Sequence, residues 1–165
     1  MFNVPCGNVY SKTFMQKLDP WYITGFSDGE AAFTYSRSGG AFNLYFSLRQ
    51  REDNRQIVER IQEFFDYIGN IYKSKGQAPE KEGDLKQQDS AYFRVAKVNQ
   101  LLKVVEHFDK YPLQGKKQSA YLVWRKMVMH KEENFRDTDY DILRALAAEL
   151  AKLNQKSRAF KVHMR

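Results

Sequence analysis

The stretch "DPWYITGFSDGEAAFTYSRSGG", residues 19–40, decides the fold. Asp19 suits an N-cap and Pro20 the first helical position, so a helix is expected to start there and run through Trp21, Ile23 and Phe26 to about Asp28 or Gly29. With no linker between, "EAAFTYSRSGGAFNLYFSLRQ" (30–50) alternates small or polar residues with aromatic ones, and Ser38-Gly39-Gly40 interrupts the alternation, which is the pattern of a β-hairpin. One face of that hairpin carries Thr34, Ser36, Asn43, Tyr45 and Ser47. The other carries Phe33, Tyr35, Phe42, Leu44, Phe46 and Leu48. Two glycines and two acids, Gly25, Asp28, Gly29 and Glu30, sit at the helix end, where helix propensity and burial both argue against them.

Working outward, "DNRQIVERIQEFFDY" (53–67) places Ile57, Val58, Ile61, Phe64 and Phe65 at a helical period, with Asp53 as the expected cap. A second hairpin pairs "GNIYKSK" from Gly69 with "SAYFRVAK" from Ser90 across the polar loop 76–89, which is long enough to be mobile. Three helical segments follow: "VNQLLKVVEHFDKY" up to Pro112, one from Gly115, and one from Thr138, whose cap and first-turn acids mark a start. The order defines an α+β fold, α-β-β-α-β-β-α with extra C-terminal helices. A four-stranded antiparallel saddle sheet with helices on one face is the economical packing, and it leaves the other face open to water or a ligand. Residues 1–17, with Pro5 and Gly7, read as a flexible lead-in, and 18–165 as a single domain.

Lys and Arg number 27 against 20 Asp and Glu, a formal net charge of +7, which favours a polyanionic partner such as nucleic acid. The aromatic fraction of 15% argues for a packed core rather than disorder. A single cysteine, Cys6, makes neither an intrachain disulfide nor a cysteine zinc site, and fits a reducing compartment. No run approaches the ~20 apolar residues that span a bilayer, and the first residues lack the apolar core of a secretory signal. The expectation is a soluble intracellular chain with no membrane association.

One glycine near a helix end is a C-cap. Two glycines four apart, Gly25 and Gly29, clear a stripe of side chains and let another backbone approach closely. With Trp21 and Phe26 beside them, they read as a surface on which a second copy of the helix packs. Such a pairing brings two copies of Glu30 together, and two carboxylates so placed repel unless divalent metal ions bridge them.

The run Ile23-Thr24-Gly25-Phe26-Ser27-Asp28-Gly29-Glu30-Ala31 resembles the LAGLIDADG motif of homing endonucleases, with Gly25, Asp28, Gly29 and Glu30 in register. The resemblance extends from Trp21 to about Lys131, includes the later "YPLQGKKQSAYLVW", and departs from the family where Ala31 replaces a glycine. One motif is present, and single-motif members of this family are homodimers. The resemblance implies a site-specific, metal-dependent double-strand DNA endonuclease that cuts one phosphodiester per strand of a long, near-palindromic target. Glu30 and the Gly29 carbonyl would hold Mg²⁺, with Mn²⁺ or Ca²⁺ as substitutes for binding. Gln50, just after the second strand, matches a position that orders solvent, and Lys116 or Lys117 matches a basic residue facing the scissile phosphate. Two lysines at a helix N-terminus oppose the helix dipole and so ask for an anion nearby. For double-stranded DNA the open sheet face would present Thr34, Ser36, Ser38, Asn43, Tyr45, Ser47 and Arg49 from the first hairpin, and Lys73, Lys75, Tyr92 and Arg94 from the second. The alternative is a non-cleaving DNA- or RNA-binding protein of the same fold, an intron maturase or regulator. Family members sit in introns of chloroplast, mitochondrial or archaeal genes, which sets the expectation for localisation.

Overall fold

A computed structural model describes residues 16–76 and 88–154. Most of the lead-in at 1–17 and most of the loop at 76–89 lie outside the described residues, as does 155–165. Helix α1 spans Pro20–Glu30, with the Asp19 carboxylate accepting the Trp21 N–H at 2.8 Å. Strands β1 (Ala31–Ser38) and β2 (Ala41–Arg51) follow, then α2 (Arg55–Phe64), β3 (Asn70–Ser74), β4 (Ser90–Val95), α3 (Val98–Lys110), α4 (Lys117–Glu133) and α5 (Tyr140–Leu153). The strands form one antiparallel sheet in the order β1-β2-β4-β3.

Gly39 and Gly40 have φ of 55° and 85°, and Ser38 pairs with Ala41, so the first hairpin closes through a two-residue turn that only a left-handed backbone can make. Gly69 has φ of 66°, and a Cβ there would lie 2.5 Å from the Arg94 carbonyl oxygen, so no other residue lets β3 come alongside β4.

Two helix starts differ from the sequence reading. Asp53 does not cap α2; it pairs with Arg51, residues 52–54 form a 3₁₀ turn, and α2 begins at Arg55, which pairs with Glu52 and Glu59. The cap of α5 is Asp139, which accepts the Asp141 and Ile142 N–H groups, whereas the Thr138 hydroxyl donates back to the Asn134 carbonyl. In both places two candidate caps are adjacent, and spacing alone does not choose between them.

The core lies between the helices and one face of the sheet. Phe33, Phe46 and Phe93 from the strands meet Phe108 of α3 and Tyr121 and Trp124 of α4, all at most 3% exposed. The Trp124 indole N–H donates to the Thr34 carbonyl at 3.2 Å, and the Tyr35 hydroxyl to the Ala147 carbonyl at 3.4 Å, which ties α4 and α5 to edge strand β1. Helix α1 is seated through Thr24. Its hydroxyl donates to the Tyr111 carbonyl at 2.8 Å and accepts from His107 Nε2, 3.3 Å away, which fixes the proton on Nε2.

Burial among Phe64, Phe65, Phe108 and Tyr111 lowers the His107 pKa to about 4 from 6.5. Between those values the unfolded chain binds a proton that the folded chain does not. Stability is therefore full above about pH 6.5 and falls as the pH drops toward 4. Urea unfolding at pH 7 and pH 4.5 should show a loss on the order of 2 kcal/mol from this group. A His107→Gln variant keeps a donor for Thr24 but does not titrate, and should lose less over the same interval. Equal losses in the two proteins would remove His107 from the acid response.

Candidate nuclease site

The last turn of α1 is where helix, sheet and α4 converge. Ala31 caps the helix with φ −77° and ψ 154°, and its N–H returns to the Ser27 carbonyl. That is ordinary extended backbone, which explains why alanine stands where the motif carries glycine. Glu30 is exposed, one residue before the strand. Ser27 is fully buried, and Gly25 and Gly29 face open space, with nothing within 4 Å of a Cβ built on either. Trp21 is 51% exposed and Phe26 is half-buried on the same helix, so the glycine stripe and its aromatic flank form an uncovered surface.

The sequence left Lys116 and Lys117 undecided, and the structure separates them. Lys116 is exposed at the N-cap of α4. Lys117 Nζ donates to the Gly29 carbonyl at 2.7 Å and to the Ser27 carbonyl at 3.3 Å. Burial lowers the Lys117 pKa, opposed by the charges of Glu30 and Asp28. An ammonium and a carboxylate thus share the end of α1, and the ammonium answers the partial negative charge of the helix's last carbonyls.

The donors available to a metal are the Glu30 carboxylate and the Gly29 carbonyl, hard oxygen ligands of the kind that magnesium and calcium take. That carbonyl already draws a cation, the Lys117 ammonium, so it fits the role. Among the described residues no three His, Cys, Asp or Glu side chains gather as a metal site.

Gln50 lies inside β2, not after it. It pairs with Ala91 on the helix-bearing side of the sheet, two residues beyond Leu48, the partner of Ala31, and so stands at the sheet end from which Glu30 emerges.

Register sorts the remaining candidates. Thr34 pairs with Tyr45, Ser36 with Asn43, Arg49 with Tyr92 and Ser47 with Arg94, which puts all of them, with Ser38, on the open face. Tyr72 and Asn70 join them from β3. Lys73 does not: it pairs with the buried Ala91, on the opposite side, and its ammonium is bound to Asp89 at 3.1 Å. Lys75 lies past the end of β3 and helps hold the Asp89 pKa low, behind the Gly76 N–H and Lys73. Counting two-residue steps within "NIYKS" separates Lys73 from Tyr72, a parity the sequence reading overlooked.

Thr34 and Ser47 are 8% and 4% exposed. They line a cavity of about 490 Å³ that also borders Glu30, Lys117, Tyr45, Arg49, Tyr92 and Asn154. The accessible part of the face is Ser38, Asn43 and Arg49, with Ser36, Tyr45, Tyr92 and Arg94 half-buried. Two arginines there are fixed. Arg94 stacks on the Tyr45 ring at 3.9 Å, and Arg49 Nε donates to the Ser90 hydroxyl at 2.8 Å. Ser90, absent from the sequence-based candidates, is found by its register opposite Arg51, one step from Arg49.

An acid and a lysine thus meet at a glycine-striped helix end, beside a polar, arginine-bearing sheet face. The chain belongs to the LAGLIDADG endonuclease family, whose sequence model matches residues 23–128. It is 30% identical over 124 residues to an uncharacterized 50.9 kDa protein in ND4 intron 1 of Podospora anserina, covering 70% of this chain and 25% of that one. It is 28% identical over 145 residues to probable intron-encoded endonuclease 2 of Neurospora crassa, covering 83% and 29%. The chain thus spans less than a third of the length of these curated relatives. Among solved structures, the LAGLIDADG meganuclease I-AabMI bound to uncleaved DNA has TM-score 0.67 at 23% identity, over 83% of this chain and 45% of that one. The homing endonuclease I-TnaI has TM-score 0.61 at 21% identity, over 86% and 89%. These likenesses show the fold. No described helix is long and apolar enough to cross a membrane.

Proposed function

We propose that this chain is a homing-type, site-specific double-strand DNA endonuclease that acts as a homodimer on a long, near-palindromic target and hydrolyses one phosphodiester per strand with a divalent metal, Mg²⁺ in the first place. The observation that carries the reading is the placement of Glu30 and Lys117 at one end of α1, on a cavity shared with the open sheet face. The names of the relatives, which place them in introns or call them endonucleases, support it. An intron of an organellar gene is the setting proposed for the chain.

Glu30 and the Gly29 carbonyl would hold the metal, with the second carboxylate supplied by a second copy. Bound there, the metal would lower the pKa of a water and neutralise charge at the scissile phosphate. Lys117 is buried enough to be partly desolvated and reaches its carbonyls through a flexible stem, so its ammonium turns to the phosphate when DNA fills the cavity. Gln50 orders solvent at the same sheet end. The polar open face follows the major groove, Arg49 and Arg94 being held in advance by Ser90 and Tyr45. The presence of Glu30 favours a cutting protein over a non-cleaving binder of the same fold.

A test is to incubate the chain with a randomised plasmid library in Mg²⁺ and in EDTA. Discrete double-strand cuts in Mg²⁺ alone support the reading. Retardation without cutting in any divalent metal overturns it.

A pair of substitutions separates base reading from bulk charge. Arg49→Ala should relax preference at one base pair in each half-site, by roughly 1–3 kcal/mol if its fork reads a guanine. Lys73→Ala should leave the salt slope of DNA binding nearly unchanged, because Lys73 is paired with Asp89 on the other side of the sheet. Salt titration and a cleavage-preference profile check both. A fall in the salt slope of about one unit per copy for Lys73→Ala would move β3 onto the DNA.

A further inference from the structure

The second acid of the helix end, Asp28, is bonded to the segment that leads into α4. Its Oδ2 accepts the Gln114 N–H at 2.8 Å, and the Gly115 N–H lies 3.1 Å from Oδ1 and 3.2 Å from Oδ2. Both carboxylate oxygens are therefore engaged by two consecutive amides of the segment that leads into α4. That helix needs them. Its N-cap, Lys116, makes no side-chain cap, and its first turn holds no acid, so the negative charge its N-terminus favours comes from another element. Helix α1 has the complementary lack, no basic residue in its last turn, and Lys117 supplies the cation. The exchange is reciprocal: residues 27 and 29 give carbonyls to Lys117, while residue 28 gives its carboxylate to 114 and 115. Gly115 is part of the fit, since a Cβ there would lie 2.9 Å from Asp28 Oδ1.

We propose that Asp28 is a positioning residue: by holding the Gln114 and Gly115 amides it fixes the start of α4 against the end of α1, and so sets the Lys117 ammonium beside Glu30. The inference rests on the proposed role of Lys117 in phosphodiester cleavage. Asp28 contacts no substrate in this scheme and acts through Lys117.

The test uses a duplex recovered from a randomised library by wild-type cleavage. Single-turnover cleavage at saturating protein is measured apart from DNA affinity, for Asp28→Ala, Asp28→Asn, Lys117→Ala and the Asp28→Ala/Lys117→Ala double variant, at a temperature where all are folded. Asp28→Ala should slow cleavage on the order of 10- to 100-fold, as misplacement of a catalytic group does, with affinity within about threefold, a split that a purely structural role does not produce. Asp28→Asn should fall between, because its amide oxygen accepts one of the two N–H groups. The double variant should be no slower than Lys117→Ala, because two residues acting through one effect are not additive. An undiminished rate in Asp28→Ala, or losses that multiply in the double variant, overturns the inference. If Asp28→Ala fails to fold, Asp28→Asn and its double variant with Lys117→Ala carry the same comparison.

If the wild-type chain cuts no duplex, the proposed function fails, and the clamp is then read from amide hydrogen exchange. Exchange at one of the Gln114 and Gly115 amides should quicken at least about tenfold in Asp28→Asn, and at both in Asp28→Ala, with a shift of the Lys117 side-chain resonances. Unchanged exchange and resonances would dispose of the clamp on their own.

Discussion

Glu30→Gln should abolish Mg²⁺-dependent cleavage while leaving the fold and DNA affinity intact. The side chain is exposed at the junction of α1 and β1, makes no contact on which the core depends, and is replaced by a group of the same shape. The fold therefore loses nothing that burial or capping supplied. What is lost is charge: a neutral amide is a weak ligand for a hard dication, and a metal's contribution to a phosphoryl transition state is worth several kcal/mol. At about 1.4 kcal/mol per tenfold in rate, the expected loss is on the order of a thousandfold or more. Cleavage of a selected duplex, with thermal unfolding and gel retardation on the same samples, checks it. Cutting by the variant within about tenfold of wild type would remove Glu30 from the chemistry and the metal with it.

The legible part of the fold was the part written in periodicity. Alternation in residues 30–50 fixes which side chains of the first hairpin face the core, and the observed register, Phe33 with Phe46 and Tyr35 with Leu44, matches that division. The glycine pair at 39 and 40 marks the turn because both positions need positive φ. Boundaries were less legible where neighbouring residues compete for one role, as Asp53 does with a salt bridge and Thr138 with Asp139. The site divides in the same way. Glu30 is legible as the acid at the exit of the glycine stripe, and it stands exposed where α1 ends on β1. That Lys117 rather than Lys116 reaches the end of α1 depends on the phase of α4, which begins after an irregular segment bonded to Asp28. Such a contact joins residues 86 apart in sequence, and no local pattern reports it. Nor does composition show that Thr34 and Ser47 are buried on a face otherwise open, since that depends on what packs around the edge of β1.

The other large effect concerns assembly. Gly25→Leu and Gly29→Leu should each remove self-association of this chain, and yet neither should destabilise the single subunit. In one copy both glycines face open space, and a Cβ built on either meets nothing within 4 Å. Both lie within α1, where exchanging glycine for a good helix former is worth about 0.8–1 kcal/mol in favour of the helix. If the stripe were merely solvated, the substitutions would be silent or stabilising. If a second copy of α1 packs across it, with Trp21 and Phe26 alongside, close approach of the backbones leaves no room. Overpacking then costs roughly 1–3 kcal/mol for each side chain, and two-fold symmetry imposes the cost twice, once from each subunit. Sedimentation at micromolar concentration should show wild type as a dimer and the variants as monomers, with unfolding of the monomer unchanged or raised. Cleavage should fall with the dimer, because in the proposed site each copy supplies one of the two Glu30 carboxylates. A wild-type chain that sediments as a monomer with and without DNA, or leucine variants that still pair, would mean that the glycines serve some other contact and that the second acid comes from elsewhere.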